Sequence, residues 1–175
     1  MTDKKVLSGG IIYYFHILLF IACRVFCVAN MVRADDLRSL DDPSAVMVGN
    51  WSVEGEDCRA FGDGVMSIAT DDWTDYSFRV KLTTDAPGAN DWDTAAIRFR
   101  AKNDFYYYYA IIHKTGLLEF GKVMNGEKFA NLVKVETNVS ISDWNEFHIE
   151  LKGNLTVISL NSKEFVRYAD PDPIM

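Results

Sequence analysis

The chain has 175 residues, 49% hydrophobic and 13% aromatic, enough apolar side chain for one packed domain. Its 25 acidic residues outnumber 18 basic ones, a net charge of −7 that argues against nucleic acid and an anionic membrane surface as partners. That excess grows once Lys4, Lys5, Arg24 and Arg33 are set aside with the first 34 residues.

Residues 1–34 read as a targeting segment. Lys4 and Lys5 precede an apolar run over residues 11–22, and Cys27-Val28-Ala29 and Val32-Arg33-Ala34 each match a signal-peptidase site. The segment is expected to be a cleaved signal or a membrane anchor through residues 11–32, so the protein is expected to be secreted or held at the cell surface. His16, Arg24 and Asn30 interrupt residues 11–32 and favour cleavage over a stable span. Cys23 and Cys27 fall in this segment, leaving Cys58 alone and the mature domain without an internal disulfide.

Residues 35–45, with Asp35-Asp36 and Asp41-Asp42-Pro43, read as a linker, and 46–175 as the folded domain. Trp51-Ser52-Val53-Glu54 begins as a short strand, a Gly-Asp-rich turn region follows through Gly64, and Val65-Met66-Ser67-Ile68 is another strand. Residues 73–113 hold three strand-like runs. Tyr76, Phe78, Val80 and Leu82 alternate with Ser77, Arg79 and Lys81; Ala95, Ile97 and Phe99 alternate with Ala96, Arg98 and Arg100. The third run is aromatic on both faces, with Tyr106 and Tyr108 opposite Tyr107 and Tyr109.

Alternation resumes at 117–123, and Asn125-Gly126 is a strong hairpin signal leading into 128–135. Over 144–152, Phe147, Ile149 and Leu151 take one face and Glu146, His148 and Glu150 the other. Gly153-Asn154 and Asn161-Ser162 then separate two closing strands. No segment has a useful helical period. About eight short strands, each ending in a turn signal after about ten residues, define an all-β, two-sheet antiparallel β-sandwich.

Trp51-Ser52-Val53, Trp73-Thr74-Asp75-Tyr76, Ile97-Arg98-Phe99-Arg100-Ala101, Asp104-Phe105-Tyr106-Tyr107 and Trp144-Asn145-Glu146-Phe147-His148-Ile149 resemble, in order, signatures of the concanavalin-like or LamG-type jelly rolls. Within that group they look most like the DUF1080 (3-keto-disaccharide hydrolase) domains and the family 66 carbohydrate-binding modules. The resemblance spans residues 46–173 and implies an extracellular role in binding or processing carbohydrate. Relatives continue past a turn like Asp170-Pro171-Asp172-Pro173 with two more strands. The expectation is therefore a fragment, or a sandwich completed by a partner chain, a partner domain or the N-terminal segment.

The chemistry-bearing motifs are few. Residues 116–122 match phosphate-loop glycine spacing, but Val123 stands where Ser or Thr is needed, so they read as a strand entering a hairpin. Glu146, His148 and Glu150 could act as an acid/base cluster, though a solvated strand face gives the same pattern. Asp85, Asn90, Asp91 and Asp93 offer hard oxygens to a structural Ca²⁺, and the resemblance also implies such an ion; an ordinary polar loop is the competing reading.

Trp92 at that loop's tip suits stacking on a sugar. Arg98, Arg100, Tyr107, Tyr109 and His113 are expected to share the face opposite the core, which in the resembled modules lies near the ligand groove. Whether Tyr107 and Tyr109 face a ligand or pack between the sheets stays open, while Tyr106 and Tyr108 are expected to pack inside. The leading expectation is an exported module that binds a polysaccharide or glycan without catalysis. The alternatives are a hydrolase or lyase on 3-keto-glycosides or related bonds, and a cell-surface adhesion or structural module.

Overall fold

The computed structural model describes residues 75–174 with their side chains, apart from residues 104 and 127. Before them it describes strand backbone at Ile12–Leu19 (β1), Cys23–Arg33 (β2), Asp36–Arg38 (β3), Ala45–Glu54 (β4) and Asp57–Asp71 (β5). The expected cleavage position at Ala34, the linker residues 39–44 and Trp73-Thr74 lie outside the described residues, as do the side chains of Trp51 and Cys58.

Eight strands follow: Tyr76–Thr84 (β6), Ala95–Asn103 (β7), Tyr106–Ile112 (β8), Leu117–Met124 (β9), Lys128–Glu136 (β10), Asn145–Lys152 (β11), Leu155–Leu160 (β12) and Lys163–Ala169 (β13). They form two antiparallel four-stranded sheets, ordered β10-β9-β8-β7 and β6-β11-β12-β13. The fold is an all-β sandwich, and no described residue is helical. β1 pairs with β7 and β2 with β6, while β5 lies between β1 and β2. β5 also runs extended through Gly62 and Gly64, where the composition suggests a turn.

Period-two alternation builds the core. Phe78, Val80 and Leu82 from β6, Phe147, Ile149 and Leu151 from β11, and Ile158 and Leu160 from β12 meet Ile97, Phe99, Tyr108, Ala110, Leu118 and Phe120 from the other sheet. Phe99 stacks on Tyr108 and Phe120 with ring centroids 5.9 and 6.1 Å apart, and Phe78 crosses the sheet gap to Phe99 at 6.1 Å. Each such ring contributes about 2–3 kcal/mol by leaving water, which makes this stack a principal source of stability.

The hairpins fix register. Asn125 and Gly126 have φ of 57° and 70°, the two left-handed residues of a tight turn matched to strand twist. Gly153, Asn161 and Ser162 also take positive φ, at the turns flanking β12. Gly126 donates its N–H to the Phe105 carbonyl at 3.0 Å, and Tyr106 hydrogen-bonds Asn125, locking the β7–β8 hairpin to the β9–β10 hairpin. Tyr106 is therefore half-buried against a turn instead of packing between the sheets.

Two polar groups are built into the sandwich. Lys122 faces inward on β9 and its ammonium donates to both carboxylate oxygens of Asp170, at 3.1 and 2.8 Å. Tyr108 donates to Asp170 Oδ2 at 2.6 Å and accepts from the Ile174 N–H at 3.1 Å. Burial works against ionising Asp170, but bonds from Lys122, Tyr108 and the Asp172 N–H outweigh it and hold the carboxyl below its ordinary range. The segment after β13 is thereby pinned to the core, with Ile174 buried in it.

Candidate functional site

The outward residues of β7–β10 line a groove of about 680 Å³, a size typical of ligand sites. Cross-strand register generates its rows. Arg98 pairs with Tyr109, Tyr109 with Gly121 and Gly121 with Asn131; Ala96 pairs with Ile111, Ile111 with Glu119 and Glu119 with Lys134; Tyr107 pairs with Val123 and Val123 with Phe129. Alternation along the strands places these on one face, and on β10 the register shift between Asn131 and Val133 brings Lys134 to that face as well.

Arg98, Tyr107, Tyr109, His113 and Trp92 all line this groove. Tyr107 and Tyr109 are not in the inter-sheet core; they belong to a second apolar cluster with Ala101, Ile111 and Val123. They do not protrude into open water either, being 6% and 8% exposed as the floor of the groove. The Arg98 guanidinium lies 4.2 Å from the Tyr107 ring centre, a cation–π contact. Trp92 is 57% and Phe129 65% exposed at the margins.

Arg100 is a correction. Its side chain is 3% exposed and lies away from the groove, its guanidinium donating to the Gly153 carbonyl at 2.7 Å and standing 3.9 Å from Asp75. The cause is a bulge: β7–β8 register breaks between Phe99 and Asn103, and Arg100 takes φ of 46°. The two extra β7 residues at this break turn Arg100 aside, and Ala101 joins the Tyr107 cluster in its place. The Tyr76 hydroxyl secures the bulge by accepting the Arg100 N–H at 3.0 Å, and burial pushes the Tyr76 pKa up to about 12.

A polar cluster on β8–β10 completes the groove. The Tyr109 hydroxyl donates to Glu119 Oε1 at 2.7 Å. The Asn131 amide nitrogen donates to the Tyr109 oxygen at 2.8 Å and to Glu119 Oε1 at 2.9 Å, while its carbonyl accepts from Lys134 at 3.1 Å. Lys134 and His113 approach Glu119 Oε2 at 3.0 and 3.2 Å. Burial alone would raise the Glu119 pKa; the bonds from Tyr109 and Lys134, with the charges of Lys134 and His113, outweigh it and hold the carboxyl below its usual value. The same burial, reinforced by Glu119, pushes the Tyr109 phenol up. Glu119 is thus an anion surrounded by donors.

Glu119, Asn131, Lys134 and Phe129 escape strand-by-strand reading. Their signal was present: the tight His113–Leu117 connection and the Asn125-Gly126 turn fix which β9 and β10 residues stand beside Tyr109.

Glu146, His148 and Glu150 lie on the outer face of the other sheet. Lys81 stands 3.8 Å from Glu146, and His148 Nδ1 lies 3.5 Å from Glu150. Partial burial and the Arg79 charge lower the His148 pKa against the two glutamates. None of the three lines the groove.

In the β6–β7 loop, the Asp93 carboxylate accepts from the Asn90 N–H at 2.8 Å and its amide at 3.1 Å. The Gly88 and Ala89 carbonyls accept from the Lys114 ammonium, which supplies the loop with a cation of its own. Among the described residues no three His, Cys, Asp or Glu side chains come together in a group that could hold a metal ion.

No family model and no curated protein matches the chain. Among solved structures it is similar to carbohydrate-binding module CBM66 from Bacillus subtilis, with TM-score 0.56 and 18% identity over 73% of this chain and 80% of that one. At that identity the likeness shows a shared β-sandwich fold.

Proposed function

We propose that this protein is an exported module that binds a glycan in the β7–β10 groove and performs no chemistry on it. The observation that carries the reading is the groove floor: Tyr107 and Tyr109 line it, with Arg98 over the Tyr107 ring and Trp92 and Phe129 exposed at its margins. Sugars present alternating apolar C–H faces and hydroxyl edges, and aromatic rings beside forked donors complement both. The likeness to a carbohydrate-binding module supports the same reading. So do the short motifs shared with LamG-type and DUF1080 domains, and the basic-then-apolar N-terminal pattern supports export.

Glycan-array binding by the full chain, repeated with an Arg98→Ala/Tyr107→Ala variant of unchanged circular dichroism, tests it. Selective retention that the variant loses is the expected result. A blank array overturns the reading.

A catalytic reading would centre on the His113–Glu119 pair in the groove and not on Glu146, His148 and Glu150. Glycoside hydrolysis ordinarily needs two carboxylates flanking the bond, and Glu119 already accepts from Tyr109, Asn131, Lys134 and His113. Product release from 3-keto-glycosides would favour this alternative. A specific protein partner without glycan retention would favour the adhesion role.

A further inference from the structure

We infer that the groove takes the interior of an extended glycan chain, laid diagonally across the sheet and held by stacking on Trp92 and Phe129. This deepens, and rests on, the carbohydrate reading.

The two most exposed rings of the groove stand at opposite corners. Trp92 belongs to the loop before β7, and that loop is tied to the far end of β8 by the Lys114 N–H donating to the Asp91 carbonyl at 2.9 Å. Phe129 lies on β10 opposite Val123, which pairs with Tyr107 near the start of β8. From Tyr107 to His113 a strand advances about 20 Å, and β8 and β10 are separated by two inter-strand spacings, about 10 Å. Between these strand positions the diagonal is roughly 20 Å, and the Phe129 ring leans in from its corner to stand edge-on 6.2 Å from the Tyr109 ring. One continuous groove touches both rings. A single sugar, no larger than a tyrosine ring, reaches one of them; a chain of several reaches both.

Mid-groove, Arg98 and Lys134 are side-chain donors that line the path, while Glu119 is committed to its own four donors. Trp92 and Phe129 thus offer exposed rings towards the two ends, with Arg98 and Lys134 between them. Linked contacts of this kind make affinity climb with ligand length until both anchors are engaged.

The test is calorimetric titration of the full chain with cello-, xylo-, manno- and fructo-oligosaccharide ladders from one to six units. At least one ladder is expected to show Kd falling about tenfold or more between the dimer and the hexamer. Trp92→Ala and Phe129→Ala should each abolish most of that length dependence. Both side chains are mostly exposed, so thermal stability should stay near wild type. A monosaccharide bound within twofold of its hexamer overturns the inference and leaves the carbohydrate reading standing. No binding by any ladder overturns both.

Discussion

Tyr109 and Gly121 face each other across β8 and β9 so closely that a β-carbon at position 121 would stand 2.5 Å from the tyrosine Cζ and hydroxyl oxygen. The missing side chain lets the phenol lie flat across β9 and reach Glu119 and Asn131. Gly121→Ala would also bring its methyl to 2.7 Å from the Ala130 carbonyl, which belongs to the backbone and cannot swing away. The expected outcome is about 1–3 kcal/mol of destabilisation together with weakened glycan binding. Urea unfolding and calorimetry measure the two. A variant of wild-type stability and affinity would show that Tyr109 does not need this surface.

Arg98 and Arg100 are two residues apart and are predicted to fail differently. Arg98→Ala should weaken binding with little effect on stability, because Arg98 lines the groove. Arg100→Ala should cost about 1–3 kcal/mol, because it removes a buried charged donor from the Gly153 carbonyl, and should leave binding by the folded fraction intact. Equal losses of affinity in the two variants would contradict the bulge-driven separation.

The buried Lys122–Asp170 pair predicts strong non-additivity. Asp170→Ala leaves a lysine ammonium inside the sandwich and should cost about 3–5 kcal/mol. Lys122→Met combined with Asp170→Leu should cost much less, since no unpaired charge remains. Chemical denaturation of Lys122→Met, Asp170→Leu and the double variant closes the double-mutant cycle.

Glu119 and Asp170 both titrate below the ordinary carboxylate range in the folded protein. Their stabilisation is therefore fully present above the unfolded value, near pH 4, and is lost as pH falls through the depressed folded values. Unfolding midpoints should be level from about pH 7 to 5 and drop below about pH 4. Glu119→Gln and Asp170→Asn should each be less stable at neutral pH and fall less steeply in acid. An unchanged acid slope in both would place the acid sensitivity elsewhere.

Much of this fold was legible because strand alternation and turn chemistry are local. The β6, β11 and β12 patterns put Phe78, Phe147 and Ile158 in the core, and Asn125-Gly126 marks its hairpin. The groove was half legible. Tyr107, Tyr109 and Arg98 follow from alternation, whereas Arg100 does not, since no local signal marks a non-glycine residue that will adopt φ of 46°. Glu119, Asn131 and Lys134 become neighbours of Tyr109 only through cross-strand register, a property of three strands together.

The central claim, a glycan held over Tyr107 and Tyr109 beside Arg98, is tested most directly by nuclear magnetic resonance. Aromatic resonances of the full chain would be followed while the best-retained glycan of an array is titrated in. Saturable shifts confined to Tyr107, Tyr109, Trp92 and Phe129, with Tyr108 and Phe99 unmoved, are the predicted result. Shifts clustered instead around His148 on the opposite sheet, or none at all, would contradict it.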